Sequence, residues 1–253
     1  MLEEADLLLC EDTRVAKKLL KLLEERHGLS HHIERVLSFH SHNEAKFLAS
    51  LEPSFFDRNV VYMSDAGMPC ISDPGASLVG YCQRHGIGYT VLPGPTAFAT
   101  AYAASGLTEG RFLFYGFLPH KGKERTDALQ KLLAESYPVI LYEAPHRMEK
   151  LLDELSRLAA GRDVFAAKEI SKRNERFFRG DAEALKEEIT GNLLKGEWVV
   201  IVAPGSGESL GVTLTAEEIE ALDLPPRQKA KLLAKATGMS VKACYERAVP
   251  KKK

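Results

Sequence analysis

Cysteine is scarce and scattered. Cys10, Cys70, Cys82 and Cys244 show no CxxC spacing and no paired framework, which argues against a disulfide scaffold and for a reducing cytosol. Long apolar runs are missing too: none reaches the ~18 residues of a membrane span, and no signal peptide is expected. An excess charge of one sign is also absent. The formal net charge is −1, so no global basic field exists and any nucleic-acid binding must come from local patches. What is there fits a globular protein: 253 residues, 45% hydrophobic and 27% charged, enough for one large or two small cored domains.

Two Gly/Pro loops dominate the middle of the chain, residues 64–75 and 93–95. Each is expected between an apolar strand (60–63, then 89–92) and an apolar helix (76–85, then 96–105). In a parallel α/β sheet, such loops leave the strand carboxyl ends and line the ligand crevice. Helix amino ends there favour a carboxylate or phosphate. Asp65 and Asp73 fall in the loop, where a carboxylate meets a ligand amine or hydroxyl. Two ordinary turns would use Gly and Pro as well.

Before these loops the pattern predicts a strand at 6–10 and a helix opened by Glu11-Asp12-Thr13-Arg14. Ala16, Leu19, Leu20, Leu22 and Leu23 form its apolar stripe, with Thr13 the expected cap and Asp12 the alternative. A strand at 33–40 leads into His40-Ser41-His42-Asn43. No third ligand accompanies these histidines, so hydrogen bonding is preferred to metal binding, and Asn43 is a candidate cap.

Gly106 and Gly110 break the pattern, and a new strand starts at 111–115. The loop 116–123 carries His120, Lys121 and Lys123, cations suited to phosphate or merely to solvent. A strand at 138–142 ends in Glu143-Ala144-Pro145-His146-Arg147. This cluster offers a base, a proton relay and a phosphate clamp, or else a structural Glu143–Arg147 ion pair. Strands follow at 163–167, at 175–179 (antiparallel) and at 198–203. Alternating strands and helices point to two α/β domains.

From residue 204 the texture changes to a flexible linker. Thr215 and Glu218 make a capping box. Residues 225–253 hold nine Lys/Arg and one acid, Glu246. This basic helical hairpin is a footprint for nucleic acid, or a solvated appendage.

Ser64-Asp65-Ala66-Gly67 with Pro69, Asp73-Pro74-Gly75, Pro93-Gly94-Pro95 and Tyr142-Glu143…His146-Arg147 resemble the tetrapyrrole methylase superfamily. Glu11-Asp12-Thr13-Arg14, His42-Asn43-Glu44, Gly116-Phe117-Leu118-Pro119 and Lys168-Glu169 fit the same pattern in order. The chain is most similar to the branch that methylates a cytidine ribose 2′-oxygen in 16S ribosomal RNA near the decoding site. The resemblance implies an α/β fold of two domains, 1–108 and 109–204, with S-adenosylmethionine (SAM) in the cleft between them. A linker and basic helix-turn-helix-like tail, 205–253, would follow, and the protein would be a homodimer.

By the same resemblance, Asp65, Ala66, Gly67, Pro69, Pro93, Gly94 and Pro95 hold the cofactor. Glu143, with His146, accepts or orients the ribose hydroxyl proton, and no metal is needed. Arg147, Arg14 and Lys168 hold phosphates, Lys121 and Lys123 support them, and Arg227 and Lys231 of the hairpin dock on rRNA or the small ribosomal subunit. The superfamily also begins with a strand and a Pro/Gly-rich turn not found here, so one sheet strand and some cofactor contacts are expected to be lost. Competing readings are a methylase of a small tetrapyrrole precursor and a truncated, non-catalytic RNA-binding protein. A DNA regulator is disfavoured by the preceding α/β architecture.

Overall fold

The structure is a computed structural model that describes residues 1–107, 110–205 and 214–248. Two compact units emerge, Met1–Gly205 and Ser206–Lys253. The expected division at 108/109 and most of the expected linker lie outside the described residues.

The first unit opens with a three-stranded parallel sheet in the order β2-β1-β3, formed by β1 (Leu7–Cys10), β2 (Arg35–Ser38) and β3 (Val60–Met63). All four residues of β1 are buried, as expected of a central strand covered on both faces. The period of two sorts them. Leu8 and Cys10 meet Ala16 and Leu20 of α1 (Thr13–His27) on one face. Leu9 meets Phe39 and Leu78 on the other, where α2 (Glu44–Ala49) and α3 (Ala76–Arg84) pack. Asp12, not Thr13, caps α1: its carboxylate accepts the Arg14 N–H at 2.8 Å. Asn43 precedes α2 without capping it. Its side chain instead closes the loop, accepting from His40 N–H and donating to the Ser38 carbonyl.

Residues 89–92 form no strand, contrary to expectation. Tyr89, Val91 and Leu92 are exposed by about half. A strand forms only where a neighbour completes its hydrogen-bond ladder, and β3 pairs with β1 alone among the described residues.

The chain then crosses by α4 (Ala97–Ser105) to a five-stranded sheet in the order β4-β5-β8-β6-β7. Its strands are β4 (Leu113–Phe117), β5 (Val139–Glu143), β6 (Val164–Lys168), β7 (Arg176–Gly180) and β8 (Trp198–Val202). β4 and β5 are parallel and the other pairings antiparallel. Val139, Leu141, Val164, Ala166, Trp198 and Val200 face α5 (Gly122–Leu133), α6 (Pro145–Leu158) and α7 (Ala182–Glu188). Ile140, Phe165, Ala167, Val199 and Ile201 face Ala101 of α4. The helix that leaves the first half of the unit therefore covers the second sheet.

The second unit is helical. α8 (Ala216–Ala221) begins with the expected Thr215–Glu218 capping box. α9 (Pro226–Thr237) and α10 (Val241–Ala248) follow, and Ile219, Ala230, Leu233 and Cys244 form their small core.

Candidate active site

The two Gly/Pro loops meet. A Cβ placed on Gly67, whose φ is +76°, would lie 3.5 Å from the Pro95 carbonyl oxygen, and one on Gly94 would lie 3.8 Å from Met68. Asp65, Ala66, Gly67, Pro93, Gly94 and Pro95 are exposed and Pro69 half-buried, so the juxtaposed backbones present an open surface. Gly75 sets the exit into α3. Its φ is +127°, and a Cβ there would sit 2.5 Å from the Tyr62 ring and 2.9 Å from Cys70 Sγ. Tyr62 O–H donates to the Pro74 carbonyl at 2.7 Å, locking the turn.

The same loop reaches the second sheet. Ser72 Oγ lies 3.0 Å from where a Cβ on Gly116 would stand, and β4 shifts register between Phe114 and Gly116. Phe98 N–H, in the first turn of α4, donates to Tyr142 Oη at 3.1 Å, and its ring stacks on Phe114 at 4.3 Å. Arg179 Nη1 donates to the Ser105 carbonyl at the other end of α4 at 2.9 Å. The loops from the first sheet are thus fixed against the strand ends of the second.

Carboxylates crowd this region. Asp65 N–H donates to Glu11 Oε1 at 3.1 Å, and Asp12 N–H donates to Asp65 Oδ1 at 3.2 Å. Burial, and then the charges of Glu11 and Asp65, push the Asp73 carboxyl up to about 6. Burial and the same acidic field push the Cys10 thiol up to about 11. Arg14 offsets part of this charge by pairing with Asp12, whose carboxyl falls to about 2 through the Arg14 hydrogen bonds. The surroundings therefore favour a ligand carrying positive charge and hydroxyl groups.

The cluster at the end of β5 differs from expectation. Glu143 is 2% exposed. Arg125 Nη2 donates to Glu143 Oε2 at 3.1 Å, and Arg147 Nε lies 2.8 Å from Glu143 Oε1. Ala144 N–H donates to that same oxygen at 2.9 Å. Arg125, itself 1% exposed, also donates from Nε to both Glu154 oxygens and from Nη1 to the Pro119 carbonyl. Arg147 Nη2 donates to the Leu118 carbonyl at 2.8 Å. These bonds tie the loop after β4 to α5 and α6. The Glu143 carboxylate is thus held between two guanidiniums and closed to solvent, with both oxygens engaged. The structural ion pair prevails for Glu143 and Arg147, and His146 alone of the three is exposed.

Arg125 and Glu154 were legible in retrospect. Arg125 falls on the buried stripe of α5 with Leu129 and Leu132. Glu154 falls on that of α6 with Leu151 and Leu155. A charge on an apolar face signals a buried pair.

The remaining expected cations are dispersed. Lys121 and Lys123 are exposed at the start of α5, and Arg14 is exposed at the start of α1. Arg227 and Lys231 are exposed on α9 in the second unit. Lys168, at the end of β6, is buried. His40 Nδ1 accepts from His42 N–H at 3.2 Å. No group of three or more His, Cys, Asp or Glu among the described residues could hold a metal ion, and none of their helices is long and apolar enough to cross a membrane.

An open loop pair from one α/β layer is seated on the strand ends of a mixed five-stranded sheet, the architecture of an α/β protein with a ligand-accessible loop site. The chain belongs to the tetrapyrrole (corrin/porphyrin) methylase family, whose model matches residues 1–186. It is 42% identical over 258 residues to ribosomal RNA small subunit methyltransferase I of Helicobacter pylori, covering 97% of this chain and 89% of that protein. It is likewise 42% identical to the protein of that name from Campylobacter fetus, over 97% and 91%, and 34% identical to that of Synechocystis, over 97% and 88%.

Among solved structures, a conserved hypothetical protein of Aeropyrum pernix superposes with a TM-score of 0.57 at 16% identity, over 98% of this chain and 87% of that one. Uroporphyrin-III C-methyltransferase of Thermus thermophilus gives 0.52 at 18% identity, over 80% and 84%. At such identities these two establish the fold.

Proposed function

We propose that this protein transfers a methyl group from SAM to a ribose 2′-oxygen of a cytidine in 16S ribosomal RNA, as a cytoplasmic homodimer. The observation that carries the reading is the loop pair, 64–75 against 93–95, in a chain with 42% identity to curated rRNA methyltransferases. That identity spans nearly the whole chain and favours RNA over a small tetrapyrrole as substrate.

The residues present suit the cofactor. SAM carries a sulfonium, an ammonium and ribose hydroxyls, which call for carboxylates and for backbone free of side chains. Glu11, Asp65 and Asp73 supply the first, and Ala66, Gly67 and Gly94 the second, with Pro69, Pro93 and Pro95 fixing the loop shapes. When bound, the cofactor supplies an electrophilic methyl group.

The chain's own part is to position the reacting groups, which can account for much of the rate. Glu143, Arg125 and Arg147 hold the loop 116–119 at the strand ends. His146, exposed at the first turn of α6, is the titratable group of that cluster open to a ribose hydroxyl, and would orient it or take its proton, a contribution of roughly 10²–10⁴-fold. Arg14, Lys121 and Lys123, and Arg227 and Lys231 on the helical unit, supply phosphate contacts. Folded RNA is read by shape and phosphate more than by base edges.

Thermal unfolding with and without excess SAM tests the cofactor assignment. At 100 times its dissociation constant the ligand should add about 2.7 kcal/mol. A shift abolished by Asp65→Ala supports the loop pair as the site; a shift of unchanged size in that variant removes it.

A further inference from the structure

At the end of the second sheet where β6 finishes, level with the end of β5 across β8, lies a cavity of about 360 Å³. Its lining includes Lys168, Glu169, Asn174, Arg176, Asn192 and Lys195. The sheet register assembles it: Lys168 ends β6, opposite Arg176 at the start of β7 and Trp198 at the start of β8. The short 3₁₀ turn Gly191–Leu194 supplies Asn192. Gly196 allows the closure, since a Cβ there would lie 2.7 Å from Glu169 Cγ.

The charges in this cavity do not balance. Lys168, Arg176 and Lys195 face one carboxylate, Glu169, which is already engaged. Glu169 Oε1 accepts from Glu197 N–H at 2.8 Å and from Lys172 Nζ at 3.2 Å. Those bonds, the backbone one foremost, hold its carboxyl below the ordinary range. Lys168 is only 6% exposed. Its ammonium donates to the Asn192 carbonyl at 3.5 Å, near the limit for a hydrogen bond, and lies 5.8 Å from the Trp198 ring centroid. It forms no ion pair among the described residues. Burying an ammonium on so little compensation is costly, and an anion in the cavity would supply what is missing.

We infer that this cavity is a phosphate-binding socket for the RNA backbone. The inference rests on the rRNA-methyltransferase reading and deepens it by naming where one stretch of substrate is held. Its continuity decides between a strand and a free ion. Lys195 also lines a neighbouring shallow cavity of about 240 Å³ with Pro145, His146, Glu149 and Leu194. The two cavities share Lys195, and His146 lines the second. Lys168 and Arg176 grip one phosphate, and Lys195 bridges to the next nucleotide, which lies against Pro145 and Leu194. Asn174 and Asn192 add neutral donors.

Trp198 is the only tryptophan in the chain, so its emission reports on the socket directly. The full chain is titrated with a short oligouridylate, following Trp198 emission and the anisotropy of end-labelled RNA across a salt series. A saturable emission change is expected, together with a salt slope that falls by about 0.7 for each contacting cation removed. Arg176→Gln and Lys195→Gln, both exposed, should each flatten the slope, and Lys168→Met should abolish the emission change. The SAM-induced thermal shift should stay intact in all three.

RNA binding with no emission change, or with unaltered slopes in Arg176→Gln and Lys195→Gln, overturns the socket. So does an equal response to inorganic phosphate or polyglutamate at the same salt. Methyl transfer to small ribosomal subunits by the unmodified chain, measured alongside, tests the underlying reading separately.

Discussion

Arg125 and Glu143 face each other 3.1 Å apart, on α5 and at the end of β5, and neither side chain is more than 1% exposed. A pair this deep offers little net stability over well-packed apolar residues, yet removing one member strands the other. Glu143→Gln leaves Arg125 and Arg147 with one fewer counter-charge. Urea unfolding is expected to show a loss of about 3–5 kcal/mol, with any fall in turnover tracking the folded fraction. Full stability combined with lost turnover would return Glu143 to the chemistry.

His146 carries the complementary expectation. Its side chain is exposed on the first turn of α6, so His146→Gln should change the unfolding free energy measured in urea by no more than about 0.5 kcal/mol. Turnover with RNA should fall by roughly 10²-fold or more if the imidazole takes the proton. Steady-state kinetics on small subunits decide this.

Asp73 sets a pH dependence. Its folded carboxyl titrates at about 6 against an ordinary 3.8, so the folded state binds more protons between those values. The contribution of this group to stability therefore falls as pH rises from about 4 to about 6 and stays low above. Asp73→Asn should raise the melting temperature at neutral pH and leave it nearly unchanged near pH 3. A cationic ligand beside Asp73 favours its ionised form, so SAM affinity should rise with pH through the same window. Calorimetric titrations at pH 5 and pH 7 would show it.

Two glycines separate backbone strain from collision. Gly28 ends α1 with φ +68° and open space around it, so Gly28→Ala should cost about 1 kcal/mol. Gly75→Ala adds a clash with the Tyr62 ring and Cys70 Sγ and should cost about 3 kcal/mol. It should also weaken SAM binding by displacing the loop 64–75. Equal costs at the two sites would mean that the Gly75 turn is not tightly packed.

The basic hairpin is expected to act on RNA alone. Deleting residues 209–253 should weaken RNA binding and flatten its salt dependence, while the SAM-induced thermal shift persists. An unchanged slope would remove Arg227 and Lys231 from the interface.

Much of this was readable in advance, for local reasons. The strand Val60–Met63, the Thr215–Glu218 box and the antiparallel β7 follow from short-range patterning and turn chemistry. The loops 64–75 and 93–95 announce themselves through Gly and Pro. Residues 89–92 misled because apolar, β-prone sequence makes a strand only beside a partner, and their side chains are exposed instead. The surroundings of Glu143 were only partly legible for a related reason. The motif shows the carboxylate at a strand end and one counter-ion, Arg147, four residues on, but the second, Arg125, comes from α5, 18 residues away, and no local pattern shows it. The Lys168 cavity was hidden altogether, since Arg176, Asn192 and Lys195 meet only through the order of the strands.

The most direct measurement is transfer of labelled methyl from SAM to small ribosomal subunits, followed by alkaline digestion of the recovered rRNA. Alkaline cleavage of RNA needs a free 2′-hydroxyl as nucleophile, so a 2′-O-methyl group protects its own linkage. The label is expected in an alkali-resistant dinucleotide whose 5′ member is a methylated cytidine, and to be lost with Asp65→Ala. Label released as mononucleotide, or found only when a tetrapyrrole precursor is offered, would contradict ribose methylation.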